Sequence, residues 1–117
     1  ALFPTVHTSN WLRAIICMCA FTGVAIKEEI MFRGALQGFL LRLCKDNEWL
    51  ERFSIAIVSM LWALLHLANA SSPLLKVIQI FFFGLFIGEL ARRKSFECAV
   101  MAHVGLNVTS VLIALLY

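Results

Sequence analysis

An all-helical chain seated in a lipid bilayer is the fold class this sequence predicts, on three observations. The chain is 62% hydrophobic and 15% charged, whereas soluble domains carry about 45–50% apolar and about 25% charged residues. Its apolar stretches approach the roughly 20 residues a helix needs to cross a bilayer core. The period-two alternation of a half-buried strand is absent from them. The expected architecture is an integral-membrane helical bundle with about four transmembrane helices.

The elements follow in order. Trp11 to Ile26 is apolar with one arginine and runs into Lys27–Leu43 with neither proline nor a turn cluster. Residues 9–44 therefore read as one long helix or two abutting ones. Lys45-Asp46-Asn47 is a polar break. A second stretch covers about 48–70 and stops at Ser71-Ser72-Pro73. Ser72 suits the cap of the next helix and Pro73 its first turn. The third stretch covers about 73–91 and is followed by Arg92-Arg93-Lys94. The fourth, about 96–117, is apolar except for residues such as His103 and Asn107.

With 117 residues the chain reads as a single domain, 1–117, without repeats or linkers. It begins with Ala, and further helices of a longer protein are expected on its N-terminal side. No cleavable signal is evident, because no basic region precedes the apolar run at 11–26. The net charge of +3 is too small to suggest nucleic acid. Arg42, Lys45 and Arg52 cluster at the first break and Arg92, Arg93 and Lys94 at the third, while Lys76 stands by the second. In a four-span arrangement the first and third breaks share a side, which the positive-inside rule makes cytoplasmic. Cys17, Cys19, Cys44 and Cys98 lack metal or redox spacing and read as buried small apolar residues.

Ionisable groups inside spanning helices cost about 2.5–3.5 kcal/mol each on insertion scales and are functional candidates by default. Glu29 and Arg33, four apart, share a helical face and can neutralise each other. Glu28 lies about 100° around the helix from Glu29 and is left for another role. The competing reading is a solvated break with ordinary surface charges. Gly34 and Gly38, also four apart, would admit a neighbouring helix closely. His66 follows Trp62 by four; alone, it reads equally as a histidine snorkelling at a helix end. His103 and Asn107 share a face of the last helix, where a polar pair also serves as glue between helices. Glu89 beside Arg92 and Arg93 reads as an interfacial ion pair.

Together, one unpaired carboxylate, two histidines and an amide on three helices can carry out hydrolysis. A carboxylate or histidine takes a proton from water; a histidine and an amide can donate to a developing oxyanion. Ser59 and Cys98 are poorly placed as nucleophiles, which leaves water. Rise per residue is a strain on convergence: Glu28 and His66 fall about 24 Å from the cytoplasmic end, His103 and Asn107 about 10–16 Å. Tilt or a break near Lys27 would close that gap.

These motifs resemble the intramembrane proteases that include the Rce1-type CAAX-processing enzymes and bacterial relatives linked to bacteriocin processing and self-protection. Glu-Glu-x-x-x-Arg is Glu28, Glu29 and Arg33, followed by Gly34; an aromatic and a histidine four later are Trp62 and His66, with Trp in place of the usual Phe; His-x-x-x-Asn is His103 and Asn107. The resemblance spans about 25–110. It implies a glutamate-dependent endopeptidase with no metal and no cofactor. Glu28 would be the general base working with His66; His103 and Asn107 would hold the oxyanion; Glu29, Arg33 and Trp62 would support them. It implies membrane lipid and a peptide or protein with a membrane-associated C-terminus as partners. In eukaryotic relatives the substrate is a prenylated protein that loses its last three residues. A multi-pass protein of the bacterial plasma membrane is expected from the short loops. Three rivals remain at this level: a zinc protease using Glu28, His66 and His103, though without HExxH spacing; a non-catalytic immunity or scaffold protein of the same fold; and a proton-relaying transporter fragment.

Overall fold

The computed structural model describes residues 7–67 and 73–116, and all its regular elements are helical. Helix α1 spans His7–Glu29 and continues without a break into a π-helical segment, Ile30–Gln37, and then α2, Gly38–Cys44. The stretch expected as one long helix or two abutting ones is thus continuous but changes its winding midway. Lys45 and Asp46 reverse the chain with φ of 50° and 63°. Asn47 then caps α3, Glu48–Leu64, by accepting from the amides of Trp49 and Leu50, two donors a helix start leaves free. Helix α4 spans Pro73–Arg93 and α5 Phe96–Leu116. The cap expected at Ser72 lies outside the described residues.

Helix α3 stops at Leu64, earlier than the 70 expected. Its last turn tightens, with the His66 amide donating to the Ala63 carbonyl at 3.0 Å. The Trp62 carbonyl, one of the four acceptors a helix end leaves free, takes the His66 ring nitrogen Nδ1 at 2.8 Å instead. His66 therefore follows the helix as its terminator.

Helix α3 packs on α4, α1 on α5, and α4 on α5, in a flat body of 60 × 29 × 17 Å. A core of Val58, Trp62, Ala63, Ile80, Ile87 and Ala99 runs between the layers. The exposed surface of 8014 Å² exceeds the roughly 6400 Å² that surface scaling gives a soluble chain of this mass. Much of the excess is apolar side chain, including Phe39, Phe53, Leu74, Phe82 and Met101. The 20-residue segment Leu74–Arg93 and α5 have the length and apolarity to cross a membrane, with mean hydropathies of 1.9 and 2.0. The fold is thus an all-helical, membrane-type bundle.

Two expectations change. Cys17, Cys19 and Cys98 lie on exposed helix faces and only Cys44 is buried; in a lipid-facing helix a small apolar side chain gains nothing from being inside. An added Cβ at Gly34 would meet α5 only at an ordinary 3.5 Å from the Phe96 ring, and the tightest helix approach lies elsewhere. It is at Gly84 and Gly88 of α4, where an added Cβ would stand 3.0 Å from Ser59 Cβ and 2.5 Å from Ile55 Cγ2 of α3.

At the other end, Arg92 of α4 binds Glu51 of α3 at 3.1 Å and Glu89 at 3.1 Å, and Arg93 binds Glu89 at 2.8 Å. The expected ion pair at Glu89 is present, and it ties the first and third breaks together at one end of the bundle.

Candidate active site

Glu28 and Glu29, the last residues of α1, point about 100° apart because they are consecutive on an α-helix. That divergence sends them to different partners. Glu29 is fully buried and accepts from Arg33 Nη1 at 3.3 Å and from His103 Nδ1 at 2.7 Å, both on its Oε1. Glu28 accepts from the Trp62 indole N–H and lies 4.0 Å from His66 Nε2. Two acid–histidine pairs therefore stand side by side on adjacent residues of one helix.

Trp62 joins them. Its ring meets His66 and His103 edge-on at centroid distances of 5.5 and 5.2 Å, and the Arg33 guanidinium carbon lies 4.5 Å from the ring centroid. The aromatic was expected as a supporting residue. It also supplies a donor to Glu28 that phenylalanine lacks.

Arg33 also donates from Nη2 to the Gly84 carbonyl at 3.2 Å, and Gln37, one turn on, donates from Nε2 to the Gly88 carbonyl at 3.0 Å. Helix carbonyls have a second lone pair for such bonds, but only the missing Cβ atoms bring them within reach. The rows Arg33–Gln37 and Gly84–Gly88 match because each is spaced by four. Gln37 was missed in the sequence, although a buried amide inside an apolar run was signal enough. So was the G-x-x-x-G spacing of α4.

The depth mismatch resolves through the start of α5. Phe96 lies against Gly34, not at the Cys44 end of α2, ten positions on. At about 1.5 Å per residue this sets α5 roughly 15 Å deeper than a level start, enough to bring His103 to Glu29.

Glu28, Trp62, His66, His103 and Asn107 all line one cavity of 540 Å³. Asn107 donates one amide hydrogen to the Phe21 carbonyl at 3.3 Å and retains a second. Away from the polar end the cavity is walled by apolar residues such as Phe21, Val24, Phe83, Leu106 and Val111. Its volume lies in the range of small-ligand sites, about 300–1,000 Å³, enough for a stretch of peptide. Among the described residues no group of three His, Cys, Asp or Glu side chains is arranged to hold a metal ion.

No curated protein and no solved structure matches the chain. A family model described as type II CAAX prenyl endopeptidase Rce1-like matches residues 9–109. That match takes in all three motifs. The chain belongs to the Rce1-like family of type II CAAX prenyl endopeptidases, a family of membrane-embedded peptidases.

Proposed function

We propose that this chain is an intramembrane endopeptidase in which Glu28 and His66 activate water to hydrolyse a peptide bond of a membrane-associated substrate. The observation that carries the reading is the Glu28–His66 geometry. With His66 Nδ1 on the Trp62 carbonyl, its Nε2 faces Glu28 across 4.0 Å. One water fits between two such groups, held by a hydrogen bond to each. The water oxygen attacks the carbonyl carbon as a proton passes to Glu28. The proton then goes to the leaving amine, and the peptide C–N bond breaks.

The oxyanion would be met from α5. His103 has Nδ1 engaged by Glu29, which fixes its ring in the wall of the cavity. Asn107 adds its remaining amide hydrogen. Such preorganised donors contribute several kcal/mol in acyl transfer, about 2.7–4 kcal/mol for one well-placed donor. Glu29 and Arg33 hold His103 and take no part in proton transfer. On this reading four spans cross a bacterial plasma membrane, with the Arg92 end cytoplasmic by the positive-inside rule.

The test is cleavage by the purified protein and its Glu28→Gln variant in nanodiscs, with a strong chelator present, against peptides with and without a C-terminal prenyl group. Turnover by the parent alone, with both proteins folded, supports the reading. Loss of turnover in chelator with recovery on adding zinc would replace it with a metal-dependent mechanism. Binding without turnover by the parent would make the protein a receptor of the same fold.

A further inference from the structure

Trp62 touches both members of the water-activating pair, each with a different part of itself. Its indole N–H donates to Glu28 Oε2, and among the described residues no other donor is hydrogen-bonded to that carboxylate. Its main-chain carbonyl holds the His66 ring at Nδ1 across 2.8 Å. Glu28 stands at the end of α1 and His66 just past the end of α3, so neither element by itself sets one group against the other. Trp62 is a firm reference for both. It is 3% exposed, the Arg33 guanidinium carbon lies 4.5 Å from its ring centroid, and Phe83 and His103 pack on it at centroid distances of 6.4 and 5.2 Å.

The indole contact also gives the two carboxylate oxygens different tasks. The last torsion of a glutamate is broad and two-fold, and turning about it exchanges the oxygens. The Glu28 side chain is 20% exposed and lines the cavity, where open space leaves that rotation unopposed. With Oε2 taken by the indole, Oε1 is the oxygen that faces His66 Nε2 at 4.0 Å. Precision of this kind matters, because a misplacement of about 1 Å in a catalytic group can cost about a hundredfold in rate. A phenyl ring at position 62 would offer an aromatic surface but no hydrogen for Oε2.

We propose that Trp62 is a positioning residue of the hydrolytic reaction: its indole N–H holds Glu28 by Oε2 and leaves Oε1 to the water, while its carbonyl sets the His66 ring against that same water. The assignment rests on the peptidase reading. Trp62 acts through Glu28 and His66 and carries no proton of the reaction. The hydrogen on its ring nitrogen, rather than its bulk, is what turnover requires.

The experiment separates the N–H from the ring, in the full chain in nanodiscs, with turnover read on prenylated and unprenylated peptides. Benzothienylalanine in place of Trp62 exchanges the indole N–H for sulfur at nearly the same shape. It should leave KM and the thermal midpoint close to the parent's and lower kcat about ten- to a hundredfold, the range for a hydrogen bond to a charged group. Fluorotryptophan at the same position keeps the N–H and should keep most of kcat. The contact is also read without turnover. The chain has three tryptophans, and Glu28→Gln should move the indole N–H resonance of Trp62 while those of Trp11 and Trp49 stay in place. An unmoved Trp62 resonance, or equal kcat losses with the two analogues, overturns the assignment. A fully active benzothienylalanine protein overturns it too and leaves the peptidase standing. Absence of turnover by the parent removes the peptidase reading and the assignment together.

Discussion

Changing glycine to alanine at four helical positions should give three different results, ordered by the space each new methyl meets. At Gly88 the Cβ would stand 2.5 Å from Ile55 Cγ2 and 3.0 Å from Gln37 Oε1. Carbon atoms rest about 3.5–4.0 Å apart, so α3 and α4 must separate by about an ångström. Overpacking of this kind costs about 1–3 kcal/mol, and loss of the Gln37 bond adds about 0.5–1.5 kcal/mol. Against that stands the helix-propensity gain of alanine, about 1 kcal/mol. Gly88→Ala should therefore destabilise by about 1–3 kcal/mol. Gly84→Ala, whose nearest neighbours are Ser59 Cβ and Oγ at 3.0 Å and Arg33 Nη2 at 3.1 Å, should be milder. Gly23 and Gly105 meet nothing within 4 Å and should be neutral or stabilised. Thermal unfolding in one detergent, followed by circular dichroism, ranks the four. A second variant isolates the clash. Ile55→Ala removes Cγ2 and leaves Cβ at an ordinary 3.5 Å, so the double variant with Gly88→Ala should lose over about 1 kcal/mol less than the sum of the singles. Additive losses, or a Gly88 variant as stable as the Gly105 variant, would refute the reasoning.

Two further substitutions probe the centre of the site. Arg33→Ala leaves the fully buried Glu29 without its cation, and breaking such a pair costs about 3–5 kcal/mol; the thermal midpoint in detergent should fall more than that of any glycine variant. Trp62→Phe keeps an aromatic ring near Arg33 and the histidines but removes the donor to Glu28, a bond worth about 1.5–3 kcal/mol. Turnover at a temperature where both proteins are folded should drop about tenfold or more, and full turnover in a variant whose midpoint has fallen would reduce Trp62 to a packing residue.

The polar site was legible because ionisable groups stand out against lipid-compatible sequence. Glu28, His66, His103 and Asn107 were each conspicuous in an apolar run, and they line one cavity. The split between the two glutamates followed from 100° per residue, and the Glu29–Arg33 pair from a spacing of four. What the sequence withheld was anything set by the neighbours' heights. Helix α5 starts beside Gly34, which depends on how a two-residue connection is laid down. The end of α3 at Leu64 was hidden because Leu65 to Ala70 remain mostly apolar, and hydropathy does not report where a backbone carbonyl meets a histidine ring. The glycine contact was visible as a spacing on α4 but was sought at Gly34 and Gly38, where the charges drew attention.

The π-helical segment Ile30–Gln37 bears on how this protein can change length. Its hydrogen bonds reach one residue further than those of an α-helix, so it stores one residue of slack between two rigid halves. The half before it is phased to α5 through Glu29 and His103, and the half after it to α3 through Cys44 and Ser54. Dropping one residue inside the segment would take up that slack, leaving a plain α-helix with no backbone break and both halves close to their present phase. The same deletion upstream of Glu28 finds no slack and would turn the earlier part of α1 by about 100° against α5. Indel tolerance should therefore be sharply lopsided about the two glutamates, a pattern a deletion scan would display as a step at Ile30.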